Sequence, residues 1–283
     1  MGLLRALLTN FYYKSQFPLS KTMLEVCIDS LESAINAIHG GADELEVCSS
    51  LTEGGLTPSA GLVKLIRDIV NNIPKKIPIR KTCDNCSCGN LKTAPKVNVM
   101  IRSRTGSDFC YSKEEMDTML SDIDVFKVIG VDRFVFGALT NTQDIDEINC
   151  TEVIRRAHPI PVTFHRAFDV CRDPQKTILS IIDIGFSRLL TSGQEVSADN
   201  ANAIQLIKKL YMDYGDKIEI MPGAGINLLN AKGFIDMGCK IVHSSCKRIR
   251  YLPQIEHNLR MGTSDSEHIY VTDEIIVKKM KEI

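Results

Sequence analysis

The chain has 283 residues, 44% of them hydrophobic and 24% charged, with a formal net charge of -1 and no long basic run. That balance fits an ordinary globular protein and excludes a surface built to coat nucleic acid. Its length allows one large α/β domain or two medium ones. No apolar stretch reaches the roughly 18 residues of a membrane span. Ten cysteines in a chain long enough to bury its own core read as reduced thiols, and the expected compartment is the cytoplasm, with the nucleus also open.

Residues 1–22 contain no acid, and their apolar run Leu3–Leu8 is broken by Arg5. This is too short for a signal core, so the segment reads as an extension outside the fold rather than a targeting peptide. From Leu24 onward, apolar runs alternate with amphipathic stretches. Strands are predicted over Leu24–Ile28, Leu45–Cys48, Val97–Arg102, Arg133–Leu139, Pro161–Phe164, Arg188–Thr191, Ile218–Met221 and Ile241–His243. Helices are predicted over Ser30–His39, Ser59–Val70, Lys113–Ile129, Asp146–Ala157, Pro174–Ile184, Ala201–Tyr211 and Asn227–Met237. Gly40-Gly41, Gly130, Gly185 and Gly238 stand where helices stop before the next strand.

Strict β-α alternation implies a parallel sheet covered by helices. Eight units fit a closed (β/α)₈ TIM barrel, an α/β fold in a single domain over 23–283. An open doubly wound sheet is the weaker alternative, because Asp29-Ser30-Leu31 rather than a Gly-rich phosphate turn follows the first strand. The segment 74–96 has no periodicity and reads as a loop insertion on the face away from a barrel's active site; residues after 250 form a C-terminal extension. Cys83, Cys86 and Cys88 lie in that insertion among lysines, with no fourth ligand nearby, so a solvated loop is favoured over a metal knuckle.

Leu24-Glu25-Val26-Cys27 repeats as Leu45-Glu46-Val47-Cys48. The spacing between them holds one crossover helix, so the strands are expected to be parallel neighbours. Side chains alternate along a strand, so Glu25, Cys27, Asp29, Glu44, Glu46 and Cys48 face one side, and Arg102 and His165 join them inside the barrel. A buried polar cluster of this kind is either a structural ion-pair plug or a solvent-accessible site; the site is favoured. Each thiol alone is most simply a small buried residue, whereas two on adjacent strands can serve a soft ion such as Cu(I). From spacing alone, metal binding is the lesser reading. Gly223-Ala224-Gly225 before a helix start is a weak anion-binding signal, with Gly223, Gly225 and Ser244 as its candidates. His243 could serve as a ligand or base, but a lone strand histidine reads first as a satisfied core residue.

The runs LEVCIDSLESA, GADELEVCSSLTEGGLTPS, VNVMIR, DFCYS, PVTFHRAFDVCRDP, LLTSGQ, MPGAGI and VHSS occur in this order between Met23 and Cys246. Together they resemble the CutC family of copper homeostasis proteins. The resemblance implies a TIM barrel and a cytoplasmic protein described as binding Cu(I). It also implies Cys27 and Cys48 as the matching copper thiols and assembly as a homodimer or homotetramer. The family's R-P-R-G-G-D-F loop reads here Arg102-Ser103-Arg104-Thr105-Gly106-Ser107-Asp108-Phe109. Residues 1–22 and the Cys-rich insertion stand outside the resemblance.

The expected function is therefore Cu(I) binding through Cys27 and Cys48, with a copper ion as partner and neither nucleic acid nor membrane. The rival is a lyase, aldolase or isomerase acting on a small phosphorylated or carboxylated metabolite. There Glu25 or Glu46 is the base, His165 its acid-base partner and Arg102 the anion clamp. Lysine-based Schiff chemistry is disfavoured, because no strand run carries an interior lysine.

Overall fold

The computed structural model describes residues 22–73, 94–253 and 267–283. The expectations for residues 1–21 and for Cys83, Cys86 and Cys88 fall outside the described residues. Eight strands follow in chain order: β1 (Met23–Ile28), β2 (Glu44–Val47), β3 (Lys96–Met100), β4 (Arg133–Phe136), β5 (Val162–Phe164), β6 (Arg188–Thr191), β7 (Glu219–Pro222) and β8 (Ile241–Ser244). All ladders among them are parallel, in the order β7-β6-β5-β4-β3-β2-β1-β8. The two end strands, β7 and β8, pack side by side and bring the sheet round into a nearly closed (β/α)₈ barrel.

Between the strands lie α1 (Leu31–Gly40), α2 (Ala60–Asn72), α3 (Lys113–Ile129), α4 (Glu147–Ala157), α5 (Pro174–Ile184), α6 (Ala201–Tyr214) and α7 (Ala231–Met237). Their starts are written locally. Ser30, Ser59, Asp146, Asp173 and Asn200 each accept a backbone N–H of the first turn, and Ser112 with Glu115 forms a capping box on α3. Helix α7 begins four residues later than its sequence pattern predicts. Asn227 and Asn230 use their side chains to hold a turn there, Asn227 accepting from the Leu229 N–H and Asn230 from the Asn227 N–H.

Strand parity separates two interiors. Outward-facing Val26, Ile28, Leu45, Val47, Val97, Val99, Phe134, Phe136 and Leu189 join helix residues such as Ile38, Val63, Ile66, Met119 and Ile178 in one continuous apolar layer. That layer is the hydrophobic core proper, and it leaves the barrel's inner face free to be polar. Among the described residues, two small apolar groups stand apart from that layer: Cys48, Met100 and Val135, and Leu190, Met221 and Ile241 with Met23.

The C-terminal extension forms an antiparallel pair, β9 (Lys247–Tyr251) and β10 (His268–Thr272), followed by α8 (Glu274–Lys281). Helix α8 packs on α1 so closely that Val277 touches Gly40, where a Cβ would stand 2.5 Å from the Val277 Cβ. Lys281 ties it to the barrel through Asp43, whose carboxylate also accepts the Leu24 N–H at 2.7 Å.

Candidate functional site

Register decides which inward side chains meet. Glu25 stands opposite Glu44 on β2 and opposite His243 on β8, while Cys27 stands opposite Glu46. The two Glu-x-Cys motifs are therefore staggered by one inward step rather than aligned. The interior consequently has a floor of charges, a mouth of ligand-like groups, and Glu25 between them.

The floor is organised by Arg188, a β6 residue the sequence reading did not single out. It is 1% exposed, and its guanidinium donates to Glu44 at 2.7 Å, to Glu25 at 3.3 Å and to Glu219 at 2.6 Å. Asn98 on β3 donates to Glu25 and Glu44 as well, at 2.5 and 2.7 Å. Burial raises both carboxyls, but the hydrogen bonds and charge of Arg188 overcome it at Glu44 and hold that group at about 2. At Glu25 burial prevails, reinforced by the neighbouring Glu46 and Glu44, and pushes it to about 7 despite Arg188. Leaving such charges buried without the guanidinium would cost about 3–5 kcal/mol. This is the ion-pair plug the sequence allowed as one reading, placed at the bottom of the barrel.

One layer higher, ligating atoms of Cys27, Glu46 and His243 lie within 4.8 Å of one another. The Nε2 of His243 is 2.9 Å from Glu46 Oε2, and the Cys48 thiol donates to the same oxygen at 3.7 Å. Burial opposes a charged imidazole, yet the charges of Glu46 and Cys27 outweigh it and hold His243 well above the ordinary histidine value. Cys48 is pushed the same way, by burial first and by Glu46 and Cys27 next, so it stays a thiol. Oε1 of Glu46 is buried and has no hydrogen-bond partner among the described residues. Gly223 makes room for the ring: a Cβ there would lie 2.5 Å from Leu190 Cδ1 and 3.2 Å from His243 Nδ1. His243, read from sequence as a core residue, is thus brought into the site with Glu46.

The remaining sequence candidates line the same mouth but do not converge on this cluster. His165 is 3% exposed, ringed by Phe109, Phe136 and Phe164. Arg102 follows β3 and donates to the backbone carbonyls of Glu53, Gly55 and Gly106, pinning the loop that covers Cys48. Asp29 accepts the Leu51 N–H at 3.4 Å. Ser244 donates to the Ile226 carbonyl at 2.8 Å, and the Gly225 carbonyl is taken by Asn227 and Asn230. A cavity of about 1540 Å³ joins these groups, bounded on one side by the β9–β10 ribbon. In the departing loop, Arg104 stitches Asp108, Glu115 and the carbonyls of Thr105 and Cys110 together.

Comparison with known proteins bears on this geometry. The pattern of the CutC family matches residues 22–87 and 85–248, and the match breaks inside the Cys-rich insertion. A copper homeostasis protein cutC homolog of Caenorhabditis elegans is 37% identical over 259 residues, covering 91% of this chain and 93% of its own. The homolog of Homo sapiens is 40% identical over 229 residues, covering 81% and 74%. A crystal structure of CutC from Streptococcus agalactiae superposes with a TM-score of 0.67 at 27% identity, over 79% of this chain and 98% of that one. The match spans all eight barrel strands, with the floor residues and Cys27, Glu46 and His243 among those matched: the chain belongs to the CutC family.

Proposed function

We propose that this chain binds Cu(I) at the barrel mouth, through Cys27, His243 and Glu46, with Cys48 as the adjoining second thiol. The observation that carries this reading is the convergence of a thiol, an imidazole and a carboxylate in one buried cluster. The donors suit the ion. Thiolate and thioether favour Cu(I) over hard cations and imidazole also accepts copper, and Cys48 packs against Met100 beside the cluster. The orphaned Glu46 Oε1 is the kind of buried acceptor that a bound cation or its proton-bearing neighbour satisfies.

Binding is coupled to proton loss, because the His243 imidazolium must be deprotonated to ligate. When bound, the ion is carried in the thiolate-stabilised cuprous state. Relatives named for copper homeostasis support the same assignment, as do the free thiols of Cys27 and Cys48, which a reducing cytoplasm would preserve.

The test is a competition titration of the full chain against a chromogenic Cu(I) chelator, with Zn²⁺ run in parallel. One tightly held Cu(I) per chain is expected, preferred to Zn²⁺. Cys27→Ser and His243→Gln should each weaken it by more than the roughly 10–100-fold typical of outer-shell changes. Equal affinity in both variants removes these residues as ligands, and a preference for Zn²⁺ removes copper as the cargo.

A further inference from the structure

Beside the sulfur-bearing cluster, the ends of β3 and β5 carry groups that copper binding does not use. The Nδ1 of His165 accepts the Ala167 N–H at 3.2 Å, so the neutral ring carries its proton on Nε2. That N–H is buried and has no partner among the described residues. A buried donor without an acceptor costs free energy unless something else supplies one. The ring is also held in place. Its centroid lies 5.0 Å from that of Phe109, and Gly137, just past the end of β4, leaves the gap it occupies: a Cβ there would stand 2.6 Å from Nδ1.

The electrostatics choose the sign of the missing acceptor. Burial, and then the charges of Arg102 and Arg166, lower His165 to about 3, so it stays a neutral donor at every physiological pH. Arg166 is paired with Asp169. Arg102 donates to three backbone carbonyls and forms no ion pair among the described residues, so its positive charge is not cancelled locally. The space is far larger than an ion requires: the cavity of about 1540 Å³ exceeds the roughly 300–1,000 Å³ of common small-molecule sites.

We infer that this half of the mouth binds a small organic anion, a carboxylate or phosphate ester, whose oxygen accepts the His165 Nε2–H beside the Arg102 charge. The donor is preorganised, since neither ring rotation nor a change of protonation is needed to present it. Nothing in this assignment depends on copper. The mouth then holds two neighbouring sites, a soft one on β1, β2 and β8 and an anionic one on β3 and β5.

The experiment follows the side-chain ¹H–¹⁵N signals of histidine-labelled full chain while inorganic phosphate, pyruvate or chloride is added. A saturable shift of the His165 Nε2 signal with phosphate or with pyruvate, beyond that in equal chloride, is expected, and the stronger of the two names the class. His165→Phe, which keeps an aromatic ring among its neighbours, should weaken that anion about 10- to 100-fold by calorimetry and leave Cu(I) affinity unchanged. A His165 signal that responds to phosphate and pyruvate only as to chloride overturns the inference, and needs no variant. Undiminished anion affinity in His165→Phe overturns it as well.

Discussion

The floor and the mouth of this barrel use the same residue types to opposite ends. On the floor, one guanidinium answers three carboxylates: Arg188 contacts Glu25, Glu44 and Glu219. Both layers keep buried polar atoms without a partner among the described residues, Glu25 Oε1 and Asn98 Oδ1 on the floor, Glu46 Oε1 and His165 Nε2 in the mouth, but of these residues Glu46 and His165 line the large cavity. Charges paired at the closed bottom serve architecture, while unmatched groups that border the cavity are what a ligand can complete. Buried polarity alone does not mark a site; its access to a cavity does.

Substitutions should separate the two regions. The largest effect is expected from Arg188→Met, which strands the floor carboxylates and should lower unfolding free energy in urea by about 3–5 kcal/mol. Cys27→Ser, in contrast, should change stability by less than about 2 kcal/mol while weakening Cu(I) binding more than about 100-fold. Equal stability losses in the two would erase the distinction between floor and mouth.

Acid should act on the floor next. The folded-state pKa of Glu44 lies near 2, below the ordinary 4.5, so its contribution is fully present above pH 4.5 and fades as pH falls toward 2. Linkage puts this at about 3 kcal/mol at most. Urea titrations across that window should show the decline in the wild type and a shallower one in Glu44→Gln.

Gly137→Ala sharpens the comparison from the other side. The added methyl would strike the His165 ring, costing about 1–3 kcal/mol in thermal or urea unfolding and displacing the histidine's side-chain NMR signals. Cys48→Ser should be smallest, about 1 kcal/mol, because a hydroxyl still donates to Glu46. Its Cu(I) affinity reports how far the second thiol participates.

Much of this was readable from the chain. Short apolar strands alternating with capped helices predicted the barrel, and strand parity put Glu25, Glu46, Cys27 and Cys48 inside. The partners of the acids were not readable. Arg188 meets Glu44 from 144 residues away, and local spacing carries no trace of such a pairing. His243 looked like a lone strand histidine because only the closure of β8 onto β1 brings it to Glu46. Its glycine neighbour, and that of His165, hold a better clue. Gly223 and Gly137 each stand at the end of the strand preceding a histidine, leaving room for its ring. The C-terminal elements were silent for another reason. Strand β9, Lys-Arg-Ile-Arg-Tyr, is largely solvent-facing and lacks the apolar alternation of a buried strand, and α8, only eight residues long, follows an antiparallel pair rather than a barrel strand.

The most direct test of the mouth as a copper site is Cu K-edge X-ray absorption of the Cu(I)-loaded full chain. The expected first shell holds sulfur, imidazole nitrogen and a carboxylate oxygen from Cys27, His243 and Glu46, the sulfur diminished in Cys27→Ser and the imidazole lost in His243→Gln. A wild-type chain that retains no Cu(I), or a shell identical in all three proteins, would contradict it.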